Sequence, residues 1–97
     1  MPPVRFAWDE AKNRANRAKH AVSFEEARSP FFDDSALLID DPGHSEDEER
    51  FLILGMSVRL RLLVVSHCYR RDDEEIRIIS ARKATARVYR NYEDRKR

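Results

Sequence analysis

The amino-acid sequence predicts an α+β fold, and three observations predict it. Helical spacing of apolar residues occupies the first third of the chain. Four short apolar runs separated by turn residues follow, and an amphipathic stretch closes the chain. The expected order is two N-terminal helices, a four-stranded, mostly antiparallel sheet and a C-terminal helix.

Asp9 is placed to cap the first helix, which runs to about Lys19 with Trp8, Ala11, Ala15 and Ala18 recurring at helical spacing as a narrow, Ala-rich stripe. Ser23 followed by Glu26 reads as a reciprocal capping box for a second helix, with Val22 stapled against Ala27. Pro30 should stop that helix near Ser29, because its ring cannot donate a hydrogen bond and restrains the preceding residue. Ala36 to Ile39 is a first strand, followed by the acidic loop Asp40-Asp41-Pro42-Gly43-His44-Ser45-Glu46-Asp47. Strands are expected at Phe51 to Met56, Leu60 to Tyr69 and Glu75 to Ile79, with a hairpin turn at Arg70-Arg71-Asp72-Asp73. Leu62-Leu63-Val64-Val65 is a continuous apolar run, the mark of a strand covered on both faces, so the third strand should be central. Ser80 can cap a final helix from Ala81 to about Asp94, with Ala81, Ala84, Val88 and Tyr92 on one face.

A chain of 97 residues makes one domain, 1–97, with room for a single modest core. Its one cysteine, Cys68, rules out an intramolecular disulfide and fits the reducing cytoplasm. No apolar run approaches the ~18 residues of a membrane span, and no signal-peptide core is visible. The formal net charge is only +1, but it is unevenly distributed. Residues 1–24 carry +3, 25–50 carry −8, 51–80 carry +1 and 81–97 carry +5. Because potentials are screened over about 8–10 Å, local sign matters more than the total.

Spacing argues against a metal site. The three histidines fall on a helix end, a loop and a strand, and adjacent His67 and Cys68 point to opposite faces of their strand. The acidic loop lacks the register of an EF-hand, and two glycines cannot make a phosphate-binding glycine loop. Cys68, beside an apolar run, reads as inert core. No cofactor is expected. What remains is a set of basic groups. Strand parity places Arg61, His67 and Tyr69 on one face of the third strand and Arg77 with Ile79 and Ala81 on the fourth, so the sheet could present Arg61, His67, Tyr69 and Arg77 together. Arg82 and Lys83, at the expected start of the last helix, add to the positive end of its dipole and suit a phosphate. The competing reading is that these arginines pair with the ten acids of residues 25–50.

Several strings resemble the BrnT toxins of bacterial type II toxin–antitoxin pairs: Phe6-Ala7-Trp8-Asp9-Glu10-Ala11-Lys12-Asn13, then Asn16, Lys19-His20 and Ser23-Phe24-Glu25-Glu26-Ala27. The match continues through His44-Ser45, Glu49-Arg50 and Leu54-Gly55-Met56-Ser57. Its most specific part is Arg77-Ile78-Ile79-Ser80-Ala81-Arg82-Lys83-Ala84. The resemblance covers roughly residues 5–93. It implies a RelE-like toxin fold and an endoribonuclease that halts translation by metal-independent RNA cleavage. It also implies a ribbon-helix-helix antitoxin (BrnA-like), assembled as a 2:2 heterotetramer that meets operator DNA only through the antitoxin. Functional weight would fall on Lys19, His20, Arg61, Arg77 and Arg82. His67 joins them because an imidazole titrates near working pH. Lys12, Tyr69, Lys83 and Arg87 would contact RNA.

The sequence departs from the family pattern at three places. Ala21 stands where Gly is common, implying a turn that avoids positive φ. Pro30 replaces an apolar residue that prolongs the second helix. Val88 stands where Glu is common, which would either improve packing or remove a functional carboxylate. The alternative to an active nuclease is a non-catalytic or detoxified module that binds RNA or antitoxin in operon autorepression.

Overall fold

The computed structural model describes residues 4–41, 49–71 and 74–96. Its elements are β1 (Arg5–Ala7), α1 (Glu10–His20), α2 (Phe24–Ala27), a 3-10 helix (Ser29–Phe32), β2 (Leu37–Asp40), β3 (Phe51–Met56), β4 (Leu62–Arg70), β5 (Glu75–Lys83) and α3 (Ala86–Lys96). The fold is α+β, but the sheet has five strands rather than four. Its order is β1-β5-β4-β3-β2, with β1 parallel to β5 and the other pairs antiparallel. The extra strand is only three residues long, too short for alternation to reveal. β4 lies at the centre, as its continuous apolar run requires, and is buried from Leu62 through Cys68.

One face of the sheet packs Leu63, Val65, Ile53, Ile78 and Ala81 against Val22, Phe24 and Ala27, roofed by α1, α2 and the 3-10 helix. The 3-10 helix lies so close to β3 that a Cβ on Gly55 would meet Pro30 at 3.0 Å. The opposite face packs Leu54, Leu62 and Val64 against Tyr92 and Val88 of α3.

Asp9 caps α1 by accepting from the Ala11 N–H at 2.8 Å. The expected Ala stripe is not the buried one: Ala11, Ala15 and Ala18 are exposed, whereas Asn13 and Asn16 are buried. The helix docks through hydrogen bonds instead. Asn13 accepts from the Phe24 N–H at 2.9 Å, and Asn16 reaches the backbone of β5. The capping box at Ser23 is only half formed. Ser23 accepts from the Glu26 N–H at 3.0 Å, but the Glu26 carboxylate turns away to Ser57 and Arg61, which offer it stronger donors. Ala21 adopts φ 57°, the left-handed helix C-cap that Gly usually fills, so its side chain has not removed the positive φ. Pro30 enters the first turn of the 3-10 helix, where its missing N–H leaves no bond unmade.

The final helix starts later than expected. β5 continues through Ser80 to Lys83, and Thr85 rather than Ser80 sits at the helix start, its Oγ1 accepting from the Val88 N–H at 3.3 Å. The reason is an irregularity in the ladder: Ser66 pairs with Ser80 but His67 pairs with Ile78, so Ile79 is an extra residue. Past that bulge the strand alternation is reversed. Of the hairpin turn, Arg71 is left-handed with φ 56°, while residues 72–73 lie outside the described residues, as does the acidic loop at 42–48 with His44.

Candidate functional site

Arg61 leads into β4, and its guanidinium is held by the second helix. Nε donates to Glu26 Oε2 at 3.0 Å, and Nη2 donates to Glu26 Oε1 and to the Ala21 carbonyl at 2.9 Å. Ser57 Oγ donates to the same carboxylate at 2.6 Å. Burial alone would push the Glu26 carboxyl up, but the hydrogen bonds from Arg61 and Ser57 outweigh it and hold the group below its usual range. Glu26 in turn raises the Arg61 guanidinium. Arg61 is therefore a clip between the end of α1 and the start of β4, not a free phosphate ligand.

That clip fixes which candidates meet. Ala21 follows Lys19 and His20, the last residues of α1. Leu62, next to Arg61, accepts at its carbonyl from the Ala84 N–H at 2.9 Å, and Leu63 pairs with Lys83. Lys19, His20, Arg82 and Lys83 consequently lie at one end of the sheet, and Arg87 joins them in the first turn of α3. His20 is half-buried and the four cations are exposed. Two further arginines at this end escaped the sequence reading. Arg17, in the last turn of α1, and Arg59, in the β3–β4 turn, line a cleft of 390 Å³ with Ala21, Ser23 and Glu25. The basic last turn of α1 was the available signal for Arg17. Nothing local to the sequence pairs it with Arg59. Lys12 is exposed on the first half of α1.

The remaining candidates sit elsewhere. His67 and Tyr69 share Arg61's face of β4 but lie toward its other end, whereas Arg77 pairs with Cys68 and so faces the α3 side, opposite to His67. The bulge at Ile79 is responsible. It also places Arg77 and Arg82, an odd five residues apart, on the same face, opposite Cys68 and Val64 with Ser80 between them. Four residues on β4 separate those partners, or roughly 13 Å along the strand. Arg77, Ser80 and Arg82 thus form a strip beside α3 that leads to the basic end.

His67 is buried inside an aromatic box. Its ring stands edge-on to Phe31 at 4.7 Å between centroids and to Tyr69 at 5.2 Å. Nδ1 donates to the Val65 carbonyl at 3.1 Å, which leaves Nε2 to accept from the Tyr69 hydroxyl at 3.2 Å. Burial lowers its pKa despite the opposing effect of the Val65 carbonyl, so the ring is neutral at physiological pH. Such an imidazole orients Tyr69 and packs the core; it has no open path to a substrate phosphate. Among the described residues, no three His, Cys, Asp or Glu side chains gather into a metal-ligand set, and no helix is long and apolar enough to cross a membrane.

Residues 8–87 match the profile of a family described as "ribonuclease toxin, BrnT, of type II toxin-antitoxin system". The fold is similar to the crystal structure of the Brucella abortus ribonuclease toxin BrnT. The TM-score is 0.64 at 25% sequence identity, covering 84% of this chain and 97% of that one. No curated protein sequence matches.

Proposed function

The chain belongs to the BrnT family of ribonuclease toxins of type II toxin–antitoxin systems. From that premise we propose that it is a metal-independent endoribonuclease whose working surface is the basic end of the sheet. The observation that carries this reading is the Arg61 clip, which ties the His20 end of α1 to the start of β4, where Leu63 and Val64 pair with Lys83 and Arg82.

The reaction needs a base for the RNA 2′-hydroxyl proton, cations for the charge that grows on the phosphoryl oxygens, and an acid for the departing 5′-oxygen. The 2′-oxygen forms a bond to phosphorus as the bond to the 5′-oxygen breaks, leaving a cyclic phosphate and a 5′-hydroxyl. His20 exchanges the proton. Arg82 binds the phosphoryl oxygens as a planar fork from the α3 side of the strand end, with Lys83 and Lys19 on the α1 side. Arg77 and Arg87 follow the strand on either side and Lys12 extends the surface along α1, whereas Tyr69, packed against Phe51 and His67, stays outside it. Arg61 acts as a positioning residue through Ala21.

The test is incubation of folded, antitoxin-free protein with RNA in EDTA. Cleavage should persist, and His20→Gln or Arg82→Ala should slow it by roughly 100-fold or more. Intact RNA from the folded wild type would overturn the reading. Type II systems supply a protein antitoxin. We propose that it is of ribbon-helix-helix type and forms a 2:2 complex, which mass measurement in solution would check. One observation favours a second reading. Val88 is packed into the apolar cluster under α3, so no carboxylate is available there. If the chain is a detoxified module, Val88→Glu restores growth arrest; an unchanged phenotype removes that reading.

A further inference from the structure

We propose that an apolar groove on the helical side of the molecule is the docking site for an acidic, amphipathic segment of the antitoxin. The groove, of 450 Å³, is lined by Val4, Phe6, Phe32 and Val58, with Arg28 and Glu25 at its rim. The 3-10 helix creates the asymmetry: Phe31 turns inward against His67, while Phe32 projects outward beside Phe6 and is 73% exposed. Across the groove, the β3–β4 turn holds Val58 at 77% exposure and Leu60 at 83%, the latter in a left-handed conformation. Apolar side chains grouped around a concavity mark an interaction surface more strongly than scattered ones.

Charge specifies the occupant. Glu25 lines both this groove and the basic cleft of Arg17 and Arg59, so the two concavities adjoin. Glu25 is itself held below the usual carboxylate range, first by backbone and Asn13 hydrogen bonds and then by Arg17 and Arg28. The three arginines outnumber it. A segment with two or three apolar anchors would fill the groove, and its carboxylates would reach Arg59 and Arg17 beyond. RNA fits less well, because two of the four apolar lining residues are valines, which offer no face for base stacking. The cleft ends at Ala21, beside Lys19 and His20, so a segment laid across it covers the proposed RNA surface. The proposal rests on the toxin–antitoxin assignment and not on the cleavage chemistry.

Titration calorimetry of the full chain with its purified antitoxin tests it, with cleavage by the free chain measured in parallel. Phe32→Ser combined with Val58→Ser should raise Kd at least tenfold without changing cleavage, since both side chains are exposed and neither belongs to the proposed RNA surface. Arg17→Glu with Arg59→Glu should weaken binding further and flatten its salt dependence. Circular dichroism verifies that the variants fold. Kd values within twofold of wild type in folded variants overturn the proposal, as does a wild type that binds no antitoxin. Loss of RNA binding with antitoxin binding retained would assign the groove to RNA. A dimer of the free chain that Phe32→Ser dissolves would assign it to a second copy. A chain that fails to cleave RNA yet shows groove-dependent antitoxin binding retires the nuclease reading alone.

Discussion

Asn16 completes the exposed edge of β5 at Ala81. Its side-chain oxygen accepts from the Ala81 N–H at 3.1 Å, and its nitrogen donates to the Ala81 carbonyl at 2.8 Å and to the Val22 carbonyl at 2.8 Å. Strand β1 ends opposite Arg77, so beyond that point a carboxamide takes the place of a neighbouring strand. Asn16→Ala would leave three buried backbone groups unpaired, and urea unfolding should show a loss of about 3 kcal/mol. Asn16→Asp should be worse, because it sets a carboxylate against two carbonyl oxygens. A variant within about 0.5 kcal/mol of wild type contradicts this account.

Glu26 and Arg61 should behave as a unit. Removing either partner alone leaves a largely buried charge, so Arg61→Ala and Glu26→Ala should each destabilise by about 3 kcal/mol, and Arg61→Met with Glu26→Leu should recover part of the loss. Because the folded carboxyl titrates below its ordinary value of 4.5, its contribution is complete above that pH and disappears as pH falls through the folded value. Melting temperatures measured below pH 4.5 should therefore fall more steeply in wild type than in the doubly substituted protein.

His67 adds a separate, milder acid sensitivity. Its folded pKa lies below the ordinary 6.5, so the unfolded chain binds the proton first. Stability is complete above pH 6.5 and declines as pH falls from there toward the folded value. Thermal melts from pH 7.5 to 5 should show that slope, and His67→Phe should flatten it whatever its effect on absolute stability. An unchanged slope would mean that the imidazole is not the group responsible.

Ala21 is a site for stabilisation. With φ at 57°, Ala21→Gly relieves a left-handed alanine at the end of α1 and should raise stability by ~0.5–1 kcal/mol. Growth-independent RNA cleavage should be unaffected, because the backbone conformation is already the one that Gly prefers. A lower denaturation midpoint would refute the strain.

The same residues show where sequence reading reaches and where it stops. The central strand was legible because a strand buried on both faces must be apolar throughout, as Leu62 to Val65 are. Asp9 and Ser23 were legible because capping is local. The buried side of α1 was not. Apolar periodicity pointed to the alanines, whereas the helix buries two asparagines whose partners at Phe24 and Ala81 lie 11 and 65 residues away. Glu26 reads as a local cap because its distant partners, Ser57 and Arg61, carry no sequence signature. Of the proposed site, the individual basic residues were legible, but their grouping was not. Strand parity put Arg77 beside Arg61 and His67, and one inserted residue moved it to the other side of the sheet.

That residue, Ile79, marks the place in β5 where chain length is free to change. Most side chains of similar bulk should be tolerated at this half-buried position. Deleting it should be tolerated as well, since Ile78 and Ser80 already pair with the adjacent residues His67 and Ser66: without Ile79 the ladder becomes regular, with Ala81 still opposite Val65 in the core and Arg82 still opposite Val64. Closely related chains can therefore lack a residue here and keep every side chain on its surface, whereas a residue lost between Ser80 and Lys83, where each position is paired, would turn the later side chains to the wrong one.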